Sequence, residues 1–266
     1  FDEKKSTLKK KVNKNITVLS FILSLEERFK NTQKVKNGKV VTCSSNSELY
    51  KTLRNSLSKF TKEEYSRAFS SFHFDEIDSE FFESFAFFIQ KEGVKNGTKG
   101  GIVNKLKTLR STLNHADKAK IPGVDRSAYV GVQQKMVIGK TTPKTIPYEY
   151  IKRIEKLELS GYKQTQKLHI DAFLFSFYTG GMSPVDVINL TFSSFNDNKI
   201  IYERMKTPKE AKMPVVKKAL DIIDKYKGKC HEDYVLPIIK PGHNTEKKIR
   251  NRVSGFTEAV YNIIEK

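Results

Sequence analysis

The sequence is poor in cysteine, in acidic residues and in long apolar runs. Its two cysteines, Cys43 and Cys230, form no C-x-x-C pair, and no histidine cluster accompanies them. This argues against a structural zinc site and for a reduced, cytoplasmic setting. No apolar run approaches the roughly 20 residues of a membrane-spanning helix, and no signal peptide is visible. We therefore expect no metal, no cofactor and no membrane partner.

Basic residues greatly outnumber acidic ones. The chain of 266 residues carries 49 Lys and Arg against 30 Asp and Glu, a net charge of +19 at pH 7. An excess of this size predicts a polyanionic partner, with nucleic acid as the first candidate. Residues 1–15 form a basic segment with six lysines. Such a segment is either a solvated tail or a strand of chain that lies along phosphates.

The pattern from 16 to 120 is that of a helical domain. One predicted helix carries five inward apolar residues: Phe81, Phe82, Phe85, Phe88 and Ile89. Another carries an apolar stripe with 4-3-4 spacing from residue 102 to residue 113. Beside that stripe, Lys99, Lys107 and Arg110 share a neighbouring arc. This arc is either a solvated face or a surface that contacts a DNA backbone.

Residues 121–147 are rich in proline and glycine and are predicted to form an interdomain linker. The linker carries Lys140 and Lys144. These lysines either are solvated side chains of an ordinary linker or belong to a basic connection that closes around duplex DNA.

The stretch from Phe173 to Val216 organises the second predicted domain, 148–266. It predicts a helix that is apolar nearly all round and therefore enclosed on every side. Gly180 and Gly181 end that helix, and a short helix with Ser183 as N-cap and Asp186 three residues later follows as a capping box. A two-stranded hairpin comes next, with Arg204 and Lys206 on one face of its first strand.

The order FYTGGMSPVDVINL, then R-M-K-T and a proline, resembles the first half of a tyrosine recombinase catalytic domain, and is most similar to integrases of mobile elements in Bacteroides-like bacteria. In that family a T-G-(L/M)-R motif supplies a catalytic arginine and a hairpin K-T supplies a catalytic lysine. The resemblance assigns the lysine role to Lys206. Ser183 occupies the arginine position, which is a departure, and Arg204 is a candidate for the missing charge. Each residue also has an ordinary alternative role. Lys206 would be a solvated lysine, Arg204 a strand arginine on a DNA backbone, and Ser183 a simple helix cap.

The segment FFESFAFFIQKEGVKNGTKGGIVNKLKTLRSTLNHA is similar to the SAM-like core-binding domain that precedes the catalytic domain in these integrases. The resemblance implies a mainly α fold, with a SAM-like helical core-binding domain at 16–120. It also implies, at 148–266, the N-terminal part of an α+β catalytic domain with a small antiparallel sheet.

By resemblance, strand cleavage proceeds through a 3′-phosphotyrosine and needs no nucleotide cofactor. The family's His-x-x-Arg box and nucleophilic tyrosine are not found in this chain, so we expect it to bind DNA but not to cleave it alone. The family also implies a tetramer on paired sites and a DNA-bending accessory protein. Two alternatives stay open: a non-catalytic DNA-binding regulator of recombination, and a basic helical RNA-binding module.

Overall fold

The computed structural model describes residues 16–36, 39–42, 45–93, 99–138, 146–207, 209–242 and 246–264. The chain divides into two compact units. Unit 1 comprises 1–34 and 42–142, and unit 2 comprises 35–41 and 143–266, as far as these ranges are described. Both are built mainly from helices, with a small antiparallel sheet in unit 2, so the predicted fold class is confirmed.

Unit 1 is helical. Its described residues include the helices α1 (Val18–Lys30), α2 (Ser45–Glu64), α3 (Ser79–Glu92) and α4 (Lys99–Lys118). They also include 3-10 turns at Phe69–Ser71, Phe74–Glu76 and Val130–Met136. A two-stranded hairpin of β1 (Gln33–Lys36) and β2 (Lys39–Thr42) follows α1 in the chain, and its residues 35–41 are assigned to unit 2.

The core of unit 1 is aromatic. Helix α3 begins where the Asp78 carboxylate accepts the N–H of Phe81 at 2.8 Å, which satisfies one unpaired helix donor. The five predicted inward residues of α3 are all buried, which confirms the periodicity. Phe60 of α2 lies among them, with its ring 5.2 Å from the rings of Phe81 and Phe85. Edge-on and tilted packing of this kind stabilises aromatic clusters beyond the area they bury.

Part of the predicted linker belongs to unit 1. Ala128, Val132 and Met136 are at most 3% exposed and lie in the same apolar core as α3 and α4. The apolar residues recur at every fourth position, so one side of this segment can pack although prolines and glycines surround it. The connection between the units therefore starts later than residue 121.

Unit 2 combines five described helices with a three-stranded sheet. The helices are α5 (Tyr148–Glu155), α6 (Gln164–Tyr178), α7 (Pro184–Asn189), α8 (Lys217–Tyr226) and α9 (Glu246–Ile264). The strands are β3 (Phe195–Asn196), β4 (Lys199–Glu203) and β5 (Glu210–Pro214), antiparallel in the order β3-β4-β5. Pro214 ends the edge strand β5, where a residue without an N–H is tolerated.

Helix α6 is less enclosed than its composition predicts. Leu174 and Phe175 are buried, but Phe177 is 41% exposed, so the expectation of burial on every side is wrong there. The Phe177 ring stacks instead on the half-exposed ring of Tyr148 from α5, with centroids 6.2 Å apart. Phe177 therefore belongs to the apolar pattern of α6 without being buried, because its ring packs on one neighbour at the surface.

A buried carboxylate joins α6 to α8. Asp171 accepts hydrogen bonds from the hydroxyl of Tyr226 and from Nζ of Lys225, both at 2.5 Å. Burial and the contact with Asp171 raise the pKa of Tyr226 well above its ordinary value. The contact places one negative charge inside the unit with two donors, which offsets the cost of removing it from water.

Candidate functional site

Lys206 lies at the tip of the β4–β5 hairpin. The strands pair from Lys199 opposite Pro214 to Glu203 opposite Glu210. The N–H of Arg204 then donates to the carbonyl of Lys209 at 3.0 Å, and the chain bends through residues 205–207. Lys206 and Arg204 are both exposed.

The predicted strand is therefore shorter than the sequence pattern indicates. Arg204 and Lys206 follow the end of β4 and lie in the turn, not on a strand face. Pro208, which lies outside the described residues, has no N–H to donate. Lys206 therefore lies exposed in a turn that joins the paired strands β4 and β5.

A buried carboxylate fastens this turn to helix α7. Asp186 is 2% exposed, and its Oδ1 accepts the N–H of Met205 at 2.7 Å. Its Oδ2 accepts the hydroxyl hydrogen of Ser183 at 2.7 Å and lies 3.9 Å from Nε of Arg204. Three groups from two elements thus converge on one carboxylate, immediately before Lys206 in the chain.

Ser183 stands at the N-cap position of α7, as predicted, but its side chain does not cap the helix. A carboxylate without a proton can only accept, so the Ser183 hydroxyl must donate to Asp186. The capping-box prediction was therefore wrong in its hydrogen bonds. Sequence reasoning assigned Asp186 to the helix cap alone. The sequence did contain a signal for a buried carboxylate. Asp186 is followed directly by the apolar residues Val187 and Ile188, and a charge buried in such a stretch needs hydrogen-bond partners.

Two glycines set the angle between α6 and α7. Gly180 and Gly181 have φ of +74° and +81°, in the left-handed region that favours glycine. A Cβ on Gly180 would approach Sδ of Met213 in β5 to 3.1 Å. The hydroxyl of Ser176 also donates to the carbonyl of Met182 at 2.6 Å, which ties the turn back to α6. The predicted glycine stop is confirmed, and it brings the start of α7 beside the sheet.

The predicted DNA-binding residues are described only in part. Lys107 is exposed on α4, whereas Arg110 is half-buried with its guanidinium 5.3 Å from the centre of the Tyr129 ring. Arg110 therefore packs as well as carrying charge. The side chain of Lys99 lies outside the described ones, and Lys140 and Lys144 lie outside the described residues altogether.

Neither a metal site nor a membrane-spanning helix is found in the part of the chain that the structure describes. Within the residues that the structure describes, no three His, Cys, Asp or Glu side chains are placed to hold a metal ion. Over the same residues, none of the helices has the length and apolar character to span a membrane.

Comparison with known proteins identifies the first unit. Residues 17–127 match the family model of the phage integrase SAM-like domain. The search of curated proteins found no match.

The fold of the whole chain is that of solved integrases. A lambda integrase tetramer bound to a Holliday junction matches with a TM-score of 0.58 and 14% identity, over 93% of this chain and 65% of that one. A dimer of lambda integrase (75–356) bound to a COC′ core site matches with a TM-score of 0.58 and 13% identity, over 92% of this chain and 78% of that one. The Tn1549 transposon integrase with circular intermediate DNA matches with a TM-score of 0.57 and 13% identity, over 94% and 81%.

At such identities these likenesses establish the fold, and this chain spans 65% of the tetrameric lambda integrase chain. The domain match supplies the family of the first unit. Residues 17–127 are therefore a phage integrase SAM-like domain, and the chain that carries this domain has the fold of solved integrases.

Proposed function

We propose that this chain binds duplex DNA at attachment sites and supplies the first half of a strand-cleavage site. The observation that carries the proposal is the exposed Lys206 on a turn that Asp186 fastens to α7. In the complete reaction a tyrosine hydroxyl attacks a phosphodiester and leaves a 3′-phosphotyrosine and a free 5′-hydroxyl. Bond energy is conserved in the covalent link, so rejoining needs no nucleotide cofactor.

Lys206 is the proposed general acid. A lysine side chain is an ammonium group with three N–H donors and therefore has a proton to give. The leaving 5′ oxygen needs a proton as the bond to phosphorus breaks, and a positioned donor accelerates such a step by about 10²- to 10⁴-fold. The paired strands below the turn and the hydrogen bond at Met205 support a fixed position for this donor.

Arg204 is the proposed source of the charge that Ser183 cannot provide. The Arg204 guanidinium lies within ion-pair distance of the same Asp186 oxygen that the Ser183 hydroxyl contacts. A planar guanidinium suits the oxygens of a phosphate in its transition state. Because the Ser183 hydroxyl hydrogen is donated to Asp186, we assign Ser183 to holding that carboxylate.

Unit 1 is the proposed DNA-binding unit. The net charge of +19 favours a polyanion, and Lys107 is exposed on the SAM-like helix α4. Lys99, Arg110 and Lys140 are proposed to share this role, together with Lys144, whose position falls in the range of unit 2. A tetramer on paired sites, an accessory DNA-bending protein and a Bacteroides-like mobile element as source are proposals that rest on the resemblance alone.

A substrate with sulfur in place of the leaving 5′ oxygen tests the role of Lys206. A thiolate leaves without a proton, so the gene product with Lys206→Ala should cleave the oxygen substrate about 10²-fold or more slowly than wild type. It should cleave the sulfur substrate at nearly the wild-type rate. Lys209→Ala is the matched control, because Lys209 is exposed across the same turn and its loss changes the net charge equally. The measurement is the rate at which covalent protein–DNA adduct forms on an attachment-site duplex.

Three other outcomes would count against parts of the proposal. Equal slowing of both substrates by Lys206→Ala would remove the general-acid role. Duplex binding without any adduct from the wild-type gene product would favour the non-catalytic regulator, which the serine at the arginine position also favours. Tighter binding to duplex RNA than to duplex DNA of equal length would favour the RNA-binding module.

A further inference from the structure

Two side chains that can carry positive charge, Arg28 and His115, meet in unit 1 where the ends of α1 and α4 lie together, and Lys118 follows three residues after His115 on α4. Nη2 of Arg28 lies 3.4 Å from Nδ1 of His115. Arg28 and Lys118 are exposed, and His115 is half-buried. Within the described part of the chain, none of the three forms a salt bridge with a carboxylate.

The position of His115 is fixed by its neighbours. Its ring packs edge-on against Phe29 of α1, with centroids 5.9 Å apart, and Phe29 stacks on Tyr50 of α2 at 5.3 Å. The hydroxyl of Tyr50 is hydrogen-bonded to the hydroxyl of Ser111, one turn before His115 on α4. The Arg28 guanidinium also lies 4.9 Å from the centre of the Phe29 ring. Helices α1, α2 and α4 thus hold the cluster in place before any ligand arrives.

The electrostatics of this cluster call for an anion. Burial first, and then the charges of Arg28 and Lys118, lower the pKa of His115. A guanidinium can only donate, so Nδ1 of His115 accepts from Arg28 and the neutral ring carries its hydrogen on Nε2. The ring is then a further donor beside two cations. A cation at a helix C-terminus interacts favourably with the helix dipole, and this effect alone could explain the basic residues at the end of α1 or of α4. It does not explain why the basic ends of the two helices lie side by side.

The cluster continues a polar stripe along α4. Lys118 is eleven residues after Lys107, which places it within about 20° of the same side of the helix and about 16 Å further along the axis. Ser111 and Asn114 fall between them on that side. A DNA strand carries one phosphate per about 3.4 Å of its axis, so a stripe of this length faces several phosphates.

We propose that Arg28, His115 and Lys118 form a binding site for a backbone phosphate of duplex DNA. The inference rests on the proposed function, since it takes DNA as the partner. It extends the interface from the predicted arc around Lys107 to the far end of α4 and to α1.

Duplex binding measured by fluorescence anisotropy across a salt series tests the site. The variants are Arg28→Gln, Lys118→Gln and the pair together. Each single change should weaken binding roughly tenfold and reduce the slope of log affinity against log salt by about 0.9. Lys30→Gln is the control, because Lys30 lies two residues after Arg28, on another side of α1, and pairs with Glu27 at 3.8 Å. Arg28→Lys keeps the charge and should retain most of the affinity.

A second measurement follows His115 itself. A phosphate beside the ring favours the imidazolium, so the pKa of His115 in an NMR titration should rise when duplex is added. His115→Gln identifies the signal, and an unchanged thermal unfolding midpoint shows that each variant is folded. A titration without DNA, with vesicles that contain phosphatidylserine, distinguishes a lipid phosphate from a DNA phosphate.

The outcomes separate this inference from the proposed function. Failure of the wild-type chain to bind duplex would overturn both. Wild-type binding with unchanged affinity and salt slope in the paired Arg28 and Lys118 variant would overturn the site alone. So would a rise in the pKa of His115 with vesicles but not with duplex.

Discussion

Replacement of Asp186 tests whether one buried carboxylate holds the turn that carries Lys206. Asp186→Ala removes the acceptor for the Met205 N–H and for the Ser183 hydroxyl, each now at 2.7 Å. Both donors are partly buried, and the loss of the partner of a buried donor costs about 1–3 kcal/mol. The Arg204 contact adds little, because that side chain is 49% exposed at 3.9 Å and a screened pair contributes about 0–1 kcal/mol. We expect Asp186→Ala to lower the free energy of unfolding of unit 2 by about 3 kcal/mol.

Asp186→Asn separates shape from charge. The amide oxygen can still accept the Met205 N–H, and the Ser183 hydroxyl can rotate to accept from the amide nitrogen. Only the attraction to Arg204 is lost, so we expect a smaller decrease, about 1 kcal/mol. Asp221→Ala is the control, because Asp221 is an exposed carboxylate on α8 and changes at such positions stay within about 0.5 kcal/mol.

Urea denaturation followed by circular dichroism measures these differences, with separate transitions fitted if the two units unfold independently. Hydrogen exchange provides a local measurement, since the Met205 amide should lose protection in Asp186→Ala. A decrease in stability no larger than that of the Asp221→Ala control would refute the reasoning. So would unchanged exchange at Met205, because the hydrogen bond at that amide is the proposed anchor.

Two further predictions concern the elements around the turn. Tyr226→Phe should lower the stability of unit 2 by about 1–2 kcal/mol, because the phenol donates to buried Asp171. Because the pKa of Tyr226 is raised in the folded state, its hydrogen bond stabilises the fold fully below the unfolded-state pKa of about 10, and this stabilisation is lost as pH rises further. The free energy of unfolding should therefore fall less steeply with rising alkaline pH in Tyr226→Phe than in wild type. An equally steep fall would contradict this. Gly180→Ala should cost more than Gly181→Ala in a urea titration, since both have positive φ but only the former meets a neighbour, Sδ of Met213 at 3.1 Å. Equal costs would show that this close approach is relaxed without penalty.

Local patterns were enough to predict the helices and the order of the elements. The apolar period of α3 predicted its buried face, and Gly180 and Gly181 predicted the end of α6, because helix burial and positive φ are properties of short segments. The family was predicted from the segments around Lys206 and Arg110, since it is carried by residue types at fixed short spacings. The roles of Lys206, Arg204 and Ser183 stay predictions.

Only the tertiary structure decided which neighbours those residues have. Asp186 and Met205 are nineteen residues apart in sequence and become partners because the sheet folds back on α7. Arg110 packs on the Tyr129 ring for a similar reason, as residues 128–136 join the core of unit 1. A periodic pattern indicates which side of a single element is apolar or charged. The role of a buried carboxylate or of an arginine depends on which residues a distant segment places next to it. The sequence by itself therefore determined the elements and the SAM-like domain, and packing between distant segments determined the contacts that hold the candidate site.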